Sequence, residues 1–289
     1  WADFPSVTAL GNGTLAAHWL QRTGEVSHAY DIALSFSRDG GATWDAPITP
    51  HDDGTETEHG FVTLVPTGPD RLQMVWLDGR NMAGYDEETA ELHSAMTLRY
   101  AEYNGQGRML ETGELDARAC SCCQTSAVNI PSGLLVAYRD RTSDEIRDVV
   151  LLRRTDGRWQ DPEPVSQDGW HIEACPVNGP SLDTRDNRVA VAWFSGAENM
   201  PKVQVAFSAD DGQVFGTPVR VDSGRAMGRV DVVLIGEDSA LVSWVELAGA
   251  QAQVMVRQVH QDGRMGMPET LVRIDPSRLS GFPRMVRRG

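Results

Sequence analysis

Short apolar stretches recur along this chain with a fixed order of turns between them. Each unit opens with an apolar stretch and a turn that contains glycine or aspartate, and a second apolar stretch then ends in an aromatic residue. The aromatic positions are Trp19, Trp76, Tyr138, Trp193 and Trp244. They are about 50 to 60 residues apart, and such a period indicates an array of supersecondary units.

A third apolar stretch and another turn follow in most units. A proline lies three residues after the aromatic residue or methionine of this turn, at Pro47, Pro162, Pro218 and Pro268. Four short strands per unit, with little helical periodicity, are typical of propeller blades. We therefore predict a single all-β domain over residues 1–289, folded as a β-propeller. The predicted blades span residues 4–54, 59–117, 122–169, 175–226 and 228–279, and residues 280–289 start a sixth, incomplete blade.

The charge of the chain limits its partners. The formal net charge is −15 at pH 7, which repels polyanions, so we expect no nucleic-acid partner. No apolar run approaches the roughly 18 residues that a membrane-spanning helix needs, so we expect no membrane insertion. The chain begins at Trp1 without a signal-like segment and has four cysteines, and we expect a mature form or fragment of a periplasmic or secreted protein.

Two of the turns have a more specific pattern. Residues 37–44 read SRDGGATW and residues 208–215 read SADDGQVF, which both fit S-x-D-x-G-x-x-W/F. In such a turn aspartate accepts bonds from N–H groups, glycine supplies a positive φ, and the aromatic ring packs beneath the hairpin. Together with the repeat, these turns resemble the Asp boxes of bacterial sialidase-like proteins with BNR repeats. The resemblance covers nearly the whole chain and implies a six-bladed propeller.

The order of strands in a blade predicts which residues meet. In a four-stranded up-and-down blade, the start of the inner strand and the loop between the second and third strands lie at one end, opposite the Asp-box turn. The inner-strand starts line the mouth of the central channel, where propellers usually bind ligands. We therefore predict that polar residues of separate blades converge on one mouth and bind a small molecule or glycan.

The resemblance implies roles for these residues. Family sialidases bind the substrate carboxylate with three arginines, protonate the leaving group with an aspartate, and attack with a tyrosine paired with a glutamate. No tyrosine occupies the start of an inner strand here, so the family's nucleophile has no convincing counterpart. By this comparison, the candidate substrate-binding residues are Arg80, Arg141, Arg229, Asp231 and Arg284, and the candidate proton donors are Asp144, Glu145 and Asp148.

Three of the four cysteines lie within the stretch ACSCCQTS at residues 119–126. Cys123 and Cys175 lie at corresponding points of adjacent blades, so a disulfide between them is one expectation. A zinc or copper(I) site is the alternative, because thiolate and imidazole groups are ligands of these ions. A reactive thiol is the third possibility for these cysteines. The candidate metal ligands are His59, Cys120, Cys122, Cys123 and Cys175.

Two functions from different classes therefore remain open. The first is an exo-acting glycoside hydrolase that acts on a terminal acidic sugar such as sialic acid. The second is a non-hydrolytic propeller that binds a metal ion or a ligand at its central mouth through a cysteine and histidine cluster.

Overall fold

The computed structural model describes residues 4–25, 28–84, 95–277 and 280–288. Among these residues, twenty strands form five antiparallel sheets, and the only helices are short 3-10 turns at Arg80–Met82 and Ala197–Asn199. No helix in the described part of the chain is long and apolar enough to cross a membrane. The chain divides into two compact units, an N-terminal unit of residues 1–121 and a C-terminal unit of residues 122–289. The single domain stays a prediction.

The N-terminal unit contains two sheets in which strands that follow each other in sequence are neighbours. The first sheet contains β1 (Ser6–Ala9), β2 (Leu15–Arg22) and β3 (Tyr30–Ser37). The second contains β4 (His59–Gly68), β5 (Arg71–Asp78), β6 (Met96–Asn104) and β7 (Met109–Ala119).

The C-terminal unit contains three further sheets of the same kind. One is formed by β8 (Ser126–Ile130), β9 (Gly133–Arg139), β10 (Val149–Thr155), β11 (Arg158–Trp159) and β12 (Glu163–Pro164). The next is formed by β13 (Ser181–Arg185), β14 (Arg188–Ser195), β15 (Lys202–Ser208) and β16 (Val219–Arg220). The last is formed by β17 (Ala226–Leu234), β18 (Ser239–Ala248), β19 (Gln251–His260) and β20 (Glu269–Ile274).

These five sheets correspond to the five predicted units. Three of the four repeated prolines directly precede the outermost strands β12, β16 and β20, and Pro47 precedes an isolated bridge between Ile48 and Leu34. Proline lacks an N–H, and it is tolerated at the start of an outer strand because no donor is needed there for pairing with a further strand. No strand is assigned to residues 280–288, so the sixth blade stays a prediction.

The repeated aromatic residues lie in the second strand of every sheet, as the pattern indicates. Trp76, Trp193 and Trp244 are buried, and each belongs to the apolar core beside its sheet. Their indole N–H groups donate to Asp78, Asp168 and Glu246 at 2.8 to 3.0 Å. Each tryptophan therefore buries a large apolar surface without leaving its N–H unsatisfied.

The two turns with the Asp-box pattern have the predicted bonds. In the second, the Asp210 carboxylate accepts from the Ser208 hydroxyl at 2.6 Å and from the Val214 N–H at 3.0 Å, and Gly212 has a φ of +71°. Phe215 packs against the core, as expected, whereas Trp44 at the corresponding place of the first turn is 42% exposed. In the β13–β16 sheet this turn lies at the end away from the start of β13.

Inner strands of the C-terminal unit are joined by bonds from a backbone N–H to a side chain of the preceding sheet. The Leu182 N–H donates to Ser126, and the Leu234 N–H donates to Asp183. The Met285 N–H donates to Asp231 in the same way. The segment after β20 therefore lies beside β17, which brings Arg284 next to Asp231 of that inner strand.

Candidate functional site

A buried arginine that the sequence analysis did not select organises the C-terminal unit. The Arg139 guanidinium donates to the carbonyl oxygens of Asn178 at 2.9 Å, Arg147 at 2.6 Å and Phe194 at 2.7 Å. Its carbon lies 4.8 Å from the centre of the Trp170 ring. These carbonyls belong to the segment before β13, to β14 and to the loop between β9 and β10, so Arg139 of β9 fixes their relative positions through charge-assisted bonds.

The loop between β9 and β10 presents the three predicted proton donors. It closes on itself, because the Asp140 N–H donates to the Asp148 carbonyl at 2.9 Å and the Thr142 N–H donates to the Ile146 carbonyl at 3.0 Å. At its tip Glu145 has a φ of +58°, an uncommon conformation for a residue with a side chain. This conformation helps to set the direction of the Glu145 side chain.

Glu145 is held between two buried arginines. Arg141 donates to both carboxylate oxygens at 2.8 to 3.0 Å, and Arg147 donates to Oε2 at 2.9 Å. Burial raises the pKa of Glu145, but the bonds from both arginines outweigh it and lower the pKa to about 2. Glu145 is therefore ionised at neutral pH, which does not fit the predicted role of proton donor.

The other two predicted donors differ from Glu145 and from each other. Asp148 accepts from the N–H groups of Gly169 at 2.8 Å and Trp170 at 3.0 Å, so its carboxylate anchors a neighbouring turn. Asp144 is exposed at the tip of the loop. Of the three, Asp144 is the one whose residue is exposed to solvent.

The predicted residues Arg229, Asp231 and Arg284 do come together. The Arg229 guanidinium donates to the carbonyls of Ser277 and Gly281 at 3.0 and 3.1 Å, and its backbone N–H donates to the Asn178 side chain at 2.8 Å. Asp231 accepts from Arg284 at 3.2 Å, and the Arg284 side chain is 46% exposed.

Asn178 joins these groups, because its carbonyl accepts from Arg139 and its side chain accepts from Arg229. We call Arg139, Arg141, Glu145, Arg147 and Arg229 the arginine cluster.

The cysteines are bonded differently from the expectation. Cys122, not Cys123, forms the disulfide with Cys175, with 5.9 Å between the α-carbons, while Cys120 and Cys123 are buried thiols. Cys122 lies in a turn just before β8, and a shift of one position there decides which sulfur reaches the partner. The disulfide also removes Cys122 and Cys175 from the predicted set of metal ligands, because a disulfide sulfur is not a thiolate.

His59 and Arg80, the remaining predicted residues, belong to the N-terminal unit. His59 at the start of β4 is buried, and its Nε2 lies 3.1 Å from Asp53 Oδ2. Arg80 donates from two nitrogens to Asp78, at 2.7 and 2.9 Å, and Asp78 ends β5. The His51 ring stacks on the His59 ring with 3.7 Å between their centres. We call His51, Asp53, His59 and Asp78 the histidine–aspartate cluster.

The carboxylates of this cluster are ionised. Burial raises the pKa of Asp53, but bonds from Thr55 and the proximity of His59 and His51 outweigh it, so the pKa is lowered. Burial also raises the pKa of Asp78, but hydrogen bonds from Arg80 and Trp76 and the proximity of His59 outweigh it. The pKa of Asp78 is therefore lowered as well. Burial lowers the pKa of His51. The sequence analysis missed Asp53 and His51, although both lie in the polar stretch HDDGTETEH just before β4.

Comparison with known proteins gives information at the level of the fold. No protein-family model matches the chain, and no curated protein matches it in sequence. A mutant of NanB sialidase from Streptococcus pneumoniae is similar in structure, with a TM-score of 0.58 and 12% identity over 92% of this chain and 60% of that protein. The Hadza microbial sialidase Hz136 has a TM-score of 0.57 and 14% identity, over 95% of this chain and 59% of that protein.

A third similar structure is an ulvan lyase bound to an oligosaccharide that contains GlcA. Its TM-score is 0.55 and its identity is 13%, over 90% of this chain and 65% of the lyase. The chain thus spans less than two thirds of the length of these three proteins. Its fold is that of the sialidase-like propellers.

Proposed function

We propose that this protein binds and hydrolyses a terminal acidic sugar of a glycan, at the end of the C-terminal unit that carries the arginine cluster. One observation carries the proposal: four arginines of this region, Arg139, Arg141, Arg147 and Arg229, are at most 6% exposed in a protein of net charge −15. Burying a guanidinium is costly unless an anion or carbonyl compensates it. An anionic sugar at this end of the unit would meet a positive potential.

The exposed groups around the cluster suggest how such a sugar is held. Arg284 is partly exposed and has a guanidinium of the shape that binds a carboxylate with two bonds. Asp144 at the tip of the loop donates the proton to the leaving group in this proposal. Glu145 takes no direct part, because both of its carboxylate oxygens already accept from Arg141 and Arg147.

The fold is consistent with an acidic sugar as substrate. Two of the similar structures are sialidases, and a third is a lyase with a GlcA-containing ligand. Because their identity to this chain is low, the choice between sialic acid and a uronic acid is left to experiment.

The test compares two fluorogenic substrates, a sialoside and a glucuronide, on the purified chain. We expect hydrolysis of one of them, a rate at least about 100-fold lower in Asp144→Asn, and a KM at least about tenfold higher in Arg284→Ala. Arg264→Ala is the control, because Arg264 is exposed in the turn at the other end of the β17–β20 sheet. Failure to bind or cleave either sugar contradicts the proposal.

A binding function without hydrolysis is the second candidate. It is favoured by the state of the loop acids, since Glu145 is ionised and Asp148 already accepts two backbone N–H groups. Calorimetric binding of the free acidic sugar, weakened by Arg284→Ala but without turnover, would support this candidate and exclude the hydrolase.

A further inference from the structure

Two carboxylates of the histidine–aspartate cluster lie close to a single ring nitrogen, Nε2 of His59. The Nδ1 of His59 lies 3.1 Å from the carbonyl oxygen of Tyr30. A carbonyl only accepts, so Nδ1 carries the hydrogen and Nε2 is the coordinating side of the ring. That Nε2 faces Asp53 Oδ2 at 3.1 Å and Asp78 Oδ1 at 3.7 Å. Two ionised carboxylate oxygens this close to one ring nitrogen require a positive centre beside that nitrogen, which is either a second proton on the ring or a metal ion.

We propose that this centre is a divalent transition-metal ion, bound by His59 Nε2, Asp53 Oδ2 and Asp78 Oδ1. A tetrahedral ion about 2.1 Å from each ligand sets the ligands about 3.4 Å apart. The two distances from His59 to the carboxylates bracket this value, and the three ligand atoms all lie within 4.8 Å of one another. One imidazole and two carboxylates are ligands that suit zinc, manganese and iron(II).

The groups behind the three ligands are arranged as they are around bound metals. The Tyr30 carbonyl fixes the His59 ring, and the backbone and hydroxyl of Thr55 both donate to the Asp53 carboxylate. Outer partners of this kind orient metal ligands and are as much part of a site as the ligands themselves.

His51 is a positioning residue in this site. Its Nε2 accepts from the Ile32 N–H at 3.3 Å, so its Nδ1 carries the hydrogen and points at Asp53 Oδ2, 3.3 Å away. The parallel stacking of His51 on His59 prevents both rings from directing their lone pairs at one ion. His51 therefore holds Asp53, and His59 alone supplies nitrogen to the metal.

The charge around the cluster favours a divalent ion over a single proton. Arg80 is the guanidinium that contacts both Asp53 and Asp78. The negative charge is larger, because it comes from the carboxylates of Asp53 and Asp78 and from three more nearby. These three belong to Asp31, Asp52 and Glu56, which line an adjoining depression of about 290 Å³ together with His51. The depression reaches His51 and Thr55, two residues that contact the Asp53 carboxylate.

The protein is first treated with a chelator and then loaded with zinc. Elemental analysis measures the bound zinc, and calorimetry measures the zinc affinity. We expect about one equivalent in the wild type, and at least about tenfold weaker binding in Asp53→Asn. Asp45→Asn is the control and should bind as the wild type does, because the exposed Asp45 carboxylate pairs with Arg38 in the first Asp-box turn and not with the cluster. Cobalt(II) bound to this site should show no thiolate charge-transfer band, which separates it from ions at Cys120 or Cys123.

Because His59 is buried, a variant there can fail to fold, so the wild type supplies a second readout. Long-range nitrogen NMR of the histidine rings should show a metal-bound Nε2 in His59 once zinc is present. A proton on that nitrogen in the presence of zinc, less than about a tenth of an equivalent of zinc in folded wild type, or unchanged affinity in Asp53→Asn would each overturn the proposal.

Discussion

The arginine cluster of the C-terminal unit and the histidine–aspartate cluster of the N-terminal unit bury charge of opposite sign. In the first, the buried guanidiniums of Arg139 and Arg229 are compensated mainly by backbone carbonyls, and Glu145 is the carboxylate shared by Arg141 and Arg147. In the second, the carboxylates of Asp53 and Asp78 contact the side chains of His59 and Arg80.

The difference has a consequence for stability. Carbonyls belong to the backbone and cannot change ionisation, so the first cluster depends on the fold of several loops at once. The second depends on side chains that can exchange a proton or an ion. We therefore expect substitutions in the arginine cluster to affect folding most, and substitutions in the histidine–aspartate cluster to affect binding as well.

The largest loss of stability should follow from Arg139→Ala. Three carbonyl oxygens lose their donor and Trp170 loses the guanidinium above its ring. We expect the free energy of unfolding to fall by about 3 to 5 kcal/mol, measured by urea denaturation. Arg264→Ala, at an exposed turn, should leave it unchanged within the error of the measurement. Equal effects of the two variants would show that Arg139 does not organise the unit.

A loss of about 3 kcal/mol is expected from Glu145→Gln, because Arg141 and Arg147 then lose their shared carboxylate. The pKa of Glu145 falls from 4.5 to about 2 on folding, so its contribution is present above pH 4.5 and disappears as the pH falls from 4.5 to about 2. Denaturation at several pH values should show this decline in the wild type and a flatter profile in the variant. The same slope in both would contradict the assignment.

Asp78→Asn should cost less, about 2 kcal/mol, although Asp78 is completely buried. Its partner Arg80 is 22% exposed and can turn to water, whereas Arg141 and Arg147 are at most 2% exposed and cannot. The comparison of Asp78→Asn with Glu145→Gln in one denaturation series tests this reasoning directly. A larger loss for Asp78→Asn would reverse the order of the two clusters.

The smallest effect on stability is expected from Arg284→Ala. Its ion pair with Asp231 is partly exposed, and such pairs contribute about 0 to 1 kcal/mol. Since this variant should still lose affinity for the acidic sugar, it separates folding from function at the same end of the unit. A loss above about 2 kcal/mol would assign Arg284 to the framework instead.

The sequence pattern predicted the strands well because each sheet repeats the same local signals. The buried Trp76, Trp193 and Trp244 and the prolines before the outer strands mark the same positions in several units. These signals depend on alternation and turn chemistry, which are local properties of the chain.

The site was predicted less completely because its contacts depend on single-residue register and on partners distant in sequence. The choice of Cys122 over Cys123 for the disulfide is one example. Arg139 is another, since its carbonyl partners at Asn178 and Phe194 are 39 and 55 residues away. Asp53 and Asp78 approach His59 from a loop and a strand, so their meeting follows from the paired sheet and not from spacing alone.

The disulfide between Cys122 and Cys175 encloses every strand from β8 to β12 in one covalent ring. A protease that cuts once inside this ring, for example in the loop that carries Asp144, leaves both fragments attached. Such a nicked molecule migrates as one band in a denaturing gel and separates into two only after a thiol reductant is added. The chain of the β8–β12 sheet can therefore be cut once while both pieces stay covalently attached.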